Sequence, residues 1–171
     1  MDLSTKTTAE KPTPHSAAFT DEDYMRIALE QAAQAEQLGE VPIGAVVVDA
    51  DGQIITAAHN RREIDHDPSA HAEFIALREA ANELERWRLS DCTVYVTLEP
   101  CPMCAGLMQQ ARIKRCVYAA ADPKSGALGS LYRLHDDNRL NHSFQVSDGV
   151  LESESRVLLR NFFSSLRKTR P

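Results

Sequence analysis

The chain has 171 residues, 43% of them apolar, and a formal net charge of −6. That length lets one domain bury a full core without disulfides or a structural metal. No stretch approaches the roughly 18 consecutive apolar residues that a membrane-spanning helix needs, which excludes an integral helical membrane protein.

Residues 1–18 are rich in Ser, Thr, Pro and Lys and lack an apolar centre. They fail as a secretory signal and read as a disordered tail ahead of a single domain over 19–171. Thr20 with Asp23 forms a cap for a helix on which Tyr24, Ile27, Ala28, Ala32, Ala35 and Leu38 recur at helical spacing, ended by Gly39. Ile43–Val48 and Gln53–Ala58 are β-branched runs around Asp49-Ala50-Asp51-Gly52, a hairpin signal. Asp67-Pro68-Ser69 reads as a cap ahead of a helix over Ala70–Leu84 that turns Ile75, Ala76 and Ala80 to a core. Thr93–Leu98 is a strand leading to Pro100 and a helix over about Cys101–Ala111. Cys116–Ala120 is another strand, Asp122–Leu131 a loop, Phe144–Val146 a short strand and Val150–Leu166 a closing helix using Leu151, Leu158, Phe162 and Leu166. Helices between strands predict an α/β fold, a mixed sheet with helices packed on its faces.

His71-Ala72-Glu73 and Pro100-Cys101-Pro102-Met103-Cys104 carry the chemistry. Zinc in catalytic sites is typically held by three protein ligands, with a fourth position left to water. His71, Cys101 and Cys104 supply three such ligands. Cys101 and Cys104 are three apart, so on a helix their sulfurs share one face. Pro100 and Pro102 suit a helix's first turn, where the dipole also favours thiolate over thiol. Glu73, two positions from His71, points away from a shared ligand position but can handle protons on water at the metal. A thioredoxin-like redox pair is the rival reading of C-x-x-C, but it leaves His71 and Glu73 unexplained. A structural zinc site needs a fourth ligand. Cys92 and Cys116 are the candidates, and each reads better as a buried thiol in or beside an apolar strand. Four cysteines that include a C-x-x-C pair fit a reducing, cytoplasmic setting better than a disulfide framework.

These motifs resemble the bacterial tRNA-specific adenosine deaminase family, within the cytidine deaminase-like superfamily, over about Asp21–Arg167. His-Ala-Glu with Pro-Cys-x-x-Cys matches the superfamily at large. Glu40-Val41-Pro42-Ile43-Gly44-Ala45, His66–Glu73, Asp122–Ser130, Asn141-His142 and Phe162-Phe163 resemble the tRNA branch more narrowly. The resemblance implies a three-layer α/β/α fold, one zinc ion per subunit on His71, Cys101 and Cys104, and Glu73 as the proton carrier. It implies hydrolytic conversion of adenosine to inosine at the wobble position of a tRNA anticodon stem-loop by a homodimer. Further, it implies that Asn60 and Ala72 hydrogen-bond the flipped-out nucleotide and that Val41 and Pro42 pack on the base. Asp122, Lys124 and Ser125 would touch the flanking nucleotides, and Asn141 and Phe162 would hold the anticodon loop. On the residues alone, Asn60 is a turn residue after a β-run, Asp122-Pro123 a turn opener and Phe162 a core position.

Charge is divided along the chain. Residues 1–110 hold 8 Lys/Arg against 19 Asp/Glu, and residues 111–171 hold 11 against 6. By itself this reads as a solvated basic face; with the resemblance it reads as an RNA-facing rim. Two other functions stand beside this one: a zinc deaminase of a free base or nucleotide (guanine, cytosine or dCMP), and a catalytically silent RNA-binding module. The first should lack the Asp-x-Lys-Ser-Gly loop, and the second has no need of Glu73.

Overall fold

The computed structural model describes residues 18–169, so the expected N-terminal tail lies outside the described residues except for Ala18. The elements run α1 (Asp21–Gln37), β1 (Gly44–Val48), β2 (Ile54–His59), α2 (Ala72–Glu83), β3 (Thr93–Leu98), α3 (Pro102–Ala111), β4 (Arg115–Ala120), β5 (Gln145–Ser147) and α4 (Glu152–Thr169). The five strands form one sheet in the order β2-β1-β3-β4-β5. β1 pairs antiparallel with β2 and β3, while β3–β4 and β4–β5 are parallel, so the sheet is mixed as expected.

Alternation along the strands decides which helix lies where. Val46, Val48, Tyr95, Val117 and Ala119 face α1 through Tyr24, Met25 and Ala28. Ala45, Val47, Val94, Val96, Cys116 and Tyr118 face the other way, against Ile75, Ala76 and Ala80 of α2 and Ala105 and Met108 of α3. α4 lies on the α1 side, contacting β3, β4 and α1. The result is three layers, helices on both faces of the sheet. Gly44 allows the closest approach: a Cβ there would collide with the Ala28 carbonyl oxygen, so β1 and α1 meet at a position only glycine fits.

Several local expectations hold and several move. The Thr20–Asp23 capping box is present in full, and Gly39 turns the chain out of α1 at φ 80°. Leu38, expected inward, is 52% exposed, and Met25 fills the core instead. Asp67-Pro68-Ser69 does not cap α2: Asp67 accepts from Ser69 N and Oγ, closing a turn of its own. The helix begins at Ala72, with His71 as the residue at its N-cap. Likewise α3 begins at Pro102, with Cys101 at the N-cap. α4 starts and ends later than expected. Its Leu166 is 44% exposed, and the buried Ser155 docks it by donating to the Thr97 carbonyl at 2.5 Å.

A polar hub ties the layers at the edge where β3 and β4 begin. Arg115 of β4 grips Asp21, the first residue of α1, through two hydrogen bonds of 2.9 and 2.6 Å. Tyr95 of β3 donates to the same carboxylate at 2.8 Å, and Arg115 also reaches Ser147 of β5. Bidentate Arg–carboxylate pairs are among the stronger charge-assisted contacts. The Arg115 hydrogen bonds hold the Asp21 carboxyl below its ordinary value of 3.8. Because the folded state lowers this value, the hub's stabilisation is complete above the ordinary aspartate range and is lost as pH falls through it. Asp21→Asn should therefore cost about 1 kcal/mol at neutral pH, discounted for the pair's partial exposure. In chemical denaturation the gap between variant and parent should close as pH falls below 3.8.

Candidate active site

Sheet topology gathers four chain segments at one edge. β2 and β3 both run antiparallel to β1, so their C-terminal ends meet the start of β1 at this edge, beside the C-terminal end of β4. Asn60 follows β2, Ile43 precedes β1, Glu99 follows β3 and Asp122 follows β4. Ligands commonly lie outside the carboxyl ends of parallel strands.

The N-termini of α2 and α3 converge on the same place. His71 Nδ1 lies 3.7 Å from Cys101 Sγ and 3.6 Å from Cys104 Sγ. The three donor atoms all fall within 4.8 Å of one another, and no other such His/Cys/Asp/Glu cluster occurs among the described residues. With Zn–S of about 2.3 Å and Zn–N of about 2.0–2.1 Å, tetrahedral edges are about 3.6–3.8 Å, so the donor spacing fits one zinc ion. Two thiolates and an imidazole are also the donor set that zinc prefers.

Electrostatics here follow from burial and from the three donors' closeness. Cys101 is brought down to about 4 by the hydrogen bond from Cys104, and His71 assists. Cys104, fully buried, is correspondingly pushed up, and a bound cation is what allows both sulfurs to be thiolates. Hydrogen bonding to Cys101 raises His71. Glu73 is 4% exposed, and burial raises its carboxyl. Cys92 and Cys116 are fully buried away from this cluster; burial lifts Cys92 to about 11 and raises Cys116 as well. They are core thiols, and neither is a fourth ligand.

A cavity of about 150 Å³ opens over the donors. Seven of the residues singled out from sequence line it: Val41, Asn60, His71, Glu73, Cys101, Asp122 and Ser125. Cys104 and Ala72 lie buried at the N-termini of the two helices beneath it. Pro42 is buried between two lining residues, Val41 and Ile43. Lys124 lies outside the cavity, in an adjoining groove with Pro123, Leu159 and Phe163. Phe162 is 6% exposed and borders a second groove with Phe163, Arg62 and Arg167. The fold does not bring Asn141 to the cavity. It is exposed, beside His142, whose Nε2 lies 2.8 Å from the Ile113 carbonyl just ahead of β4.

Two buried carboxylates to which the sequence assigns no role, Glu99 and Glu40, shape the site. Glu99 is 3% exposed and accepts from the backbone N–H groups of Asp122 (2.9 Å), Leu128 (3.1 Å) and Ser130 (2.9 Å), and from the Ser130 hydroxyl. It is the post to which the Asp122–Ser130 loop is tied. Gly126 passes so close that a Cβ there would collide with the Glu99 carboxylate. Asp122 then closes its own turn, accepting from Lys124 N, Ser125 N and Ser125 Oγ. Glu40, 1% exposed, accepts from Asn60 and Ile64. The available signal was a lone acid closing an apolar run at Glu99-Pro100 and another opening Glu40-Val41-Pro42.

This fold and this donor set define a class, the zinc-dependent deaminases of the cytidine deaminase-like fold. Residues 19–120 match the model of the cytidine and deoxycytidylate deaminase zinc-binding region. The chain is 49% identical over 148 residues to the tRNA-specific adenosine deaminase of Bacillus subtilis, covering 86% of this chain and 91% of that one. It is also 49% identical over 148 residues to the enzyme of that name from Haemophilus influenzae, covering 86% of each. A solved structure from work on A-to-I editing by tRNA:A34 deaminases at the wobble position superposes with a TM-score of 0.77 at 43% identity, covering 80% of this chain and 98% of that one. A guanine deaminase from Nitrosomonas europaea superposes with a TM-score of 0.72 at 26% identity, covering 84% of each chain. The chain belongs to the tRNA-specific adenosine deaminase family.

Two outcomes follow from the site. Purified protein should carry one zinc per chain by elemental analysis, and Cys104→Ala should lose most of it, since the remaining pair of donors lacks a third ligand. Glu99→Ala leaves four donors of the loop unmatched, which should cost about 2–3 kcal/mol. In limited proteolysis, cleavage should appear first within residues 122–130.

Proposed function

We propose that this protein hydrolyses adenosine to inosine at the wobble position of a tRNA anticodon, with residues 19–171 acting as one catalytic domain. The observation that carries this reading is the continuity of the site cavity with two flanking grooves. The first shares Val41, Leu98, Asp122 and Ser125 with the cavity and extends to Lys124 and Phe163. The second shares Val41 and Arg62 and extends to Phe162, Phe163 and Arg167. A free base needs only the central cavity. A strand of RNA whose target base is flipped inward needs room for neighbours on each side, with aromatic and basic groups to meet them.

In the reaction, water adds to C6 of adenine, the C6–N6 bond breaks, and ammonia leaves as inosine forms. A bound zinc ion supplies the Lewis-acid chemistry that makes water nucleophilic near neutral pH. His71, Cys101 and Cys104 hold that ion. The Glu73 carboxylate, whose affinity for a proton burial raises, takes the proton from the attacking water and delivers it to N1. It then takes the proton of the new hydroxyl on C6 and passes it to N6, so that the C6–N6 bond breaks as the carbonyl of inosine forms. Asn60 hydrogen-bonds the flipped-out nucleotide, the Ala72 N–H meets its base, and Val41 and Pro42 pack on the face of that base. Asp122, Lys124 and Ser125 meet the flanking nucleotides, and Asn141 and Phe162 hold the rest of the anticodon loop.

We further propose a homodimer working in the cytoplasm. An apolar groove between α2 and α3, lined by Phe74, Leu77, Trp87 and Leu107, supports the first, since Trp87 is 60% exposed there. A reducing compartment suits the zinc thiolates, and among the described residues no helix is long and apolar enough to cross a membrane.

The test is direct. The protein is incubated with an anticodon stem-loop carrying wobble adenosine, and separately with free adenosine, cytosine and guanine. Inosine in the stem-loop alone is the expected result; deamination of a free base alone would overturn the reading. Glu73→Ala should retain its zinc while kcat drops by about 10²–10⁴ or more. Turnover near that of the parent would sink the proton-carrier role.

A further inference from the structure

Behind Asn60, at the end of β2, lies a buried carboxylate to which the reaction gives no task. Glu40 lies between α1 and β1 and is 1% exposed. One of its oxygens accepts the Ile64 N–H at 2.8 Å; the other accepts from Asn60 Nδ2 at 3.2 Å. The Val41 carbonyl lies 3.4 Å from the same nitrogen. A carboxylate and a carbonyl are acceptors only, so the NH₂ end of the Asn60 amide must face them. Turned over, the amide would set its oxygen against both. Asn60 Oδ1 is therefore left on the other side, buried and without a partner. Asn60 itself is 5% exposed and lines the cavity with His71, Glu73 and Cys101. Buried polar atoms are rarely left unmatched, and for one on a residue that lines a substrate cavity the substrate is the donor at hand.

We infer that Glu40 is a positioning residue that fixes the polarity of Asn60, so that the amide offers the target nucleoside an acceptor and takes its ribose 2′-hydroxyl. The inference rests on the proposed RNA substrate. Within a strand, the 3′ and 5′ oxygens of adenosine are esterified, and its remaining donors are the N6 amino group and the 2′-hydroxyl. The amino group is the one that leaves, attended by Glu73. The 2′-hydroxyl is the donor that remains, and it is the group by which a protein tells RNA from DNA. A site whose acceptor goes unmatched rejects the analogue lacking the donor. Glu40 thus makes Asn60 a reader of ribose without touching substrate itself.

The pair can be inverted. In Glu40→Gln the shape is kept, but the side chain at position 40 can now donate or accept, and the Asn60 amide is free to turn. In Asn60→Asp two carboxylates face each other. In the double variant, the amide placed at position 40 can accept from Ile64 with its oxygen. Its nitrogen can donate to the carboxylate placed at position 60, which again leaves an acceptor toward the cavity. All four proteins are compared for zinc content, kcat and KM on the stem-loop, and on the same stem-loop with 2′-deoxyadenosine at the target. Glu40→Gln should lower kcat/KM on the order of tenfold, and Asn60→Asp at least as much, at unchanged zinc content. The double variant should recover most of the loss. On the deoxy substrate the parent should fall by a similar factor, and Glu40→Gln should add little. Parent-like Glu40→Gln, a double variant no better than Asn60→Asp, or an undiminished Glu40→Gln effect on the deoxy substrate would each overturn the inference. The ¹H–¹⁵N signals of the Asn60 side-chain amide, recorded on the protein alone, should move in Glu40→Gln; unmoved signals would also overturn it. That measurement holds whether or not the stem-loop is turned over, whereas a parent inactive on the stem-loop counts against the proposed function.

Discussion

One zinc ion needs three donors about 3.6–3.8 Å apart, and this chain meets that demand with residues at the starts of two helices. His71 stands at the N-cap of α2 and Cys101 at that of α3, with Cys104 one turn further on. Both helices must therefore begin at the same sheet edge and aim there. The β3–Pro100–α3 connection does this for the cysteines, and the turn closed by Asp67 and Ser69 does it for His71. The rest of the architecture serves that convergence. α2 and α3 lie on one face of the sheet because both ends must meet, and α1 with α4 covers the other face.

Around the metal ligands, the site is shaped by two buried acids used as acceptors. Glu99 gathers the donors of the loop after β4, and Glu40 gathers those of Asn60 and Ile64. Each is shielded from water, so each hydrogen bond it accepts is worth more than on the surface, and each would be costly to leave unmade. Glu73 differs from both. It too is buried, but it faces the cavity with the metal donors, and its raised carboxyl is suited to exchanging protons rather than to holding backbone in place.

Much of this was legible in the order of residues. The β-branched run ending at Val48 and the strand Thr93–Leu98 are legible because a strand covered on both faces reads as a short continuous apolar run bounded by turn residues. The metal donors were legible because zinc chemistry tolerates few residue types. What could not be read was position along the third dimension. Nothing local distinguishes Asp67, which closes a turn, from a helix cap, since the same side chain serves both. Leu38 falls at the C-cap of α1, one residue past the helix, and stays exposed, whereas Met25 precedes Ala28 and Ala32 at helical spacing and shares their buried face. Glu40 and Glu99 were opaque for a related reason. An acid in sequence reads as surface, and the donors that make its burial tolerable lie 20 to 31 residues away.

The separation of the ligands has a further consequence. His71 lies 30 residues from Cys101 and 33 from Cys104, and β3 runs between them. A bound ion therefore closes a long loop around the middle strand of the sheet, as a cross-link would. In the unfolded chain the donors are dispersed and grip the ion weakly, so its affinity for the native site adds to the free energy of folding. By mass action each tenfold rise in free zinc above the dissociation constant adds about 1.4 kcal/mol. Zinc bound by this enzyme thus adds to the stability of the fold as well as supplying the chemistry of the site.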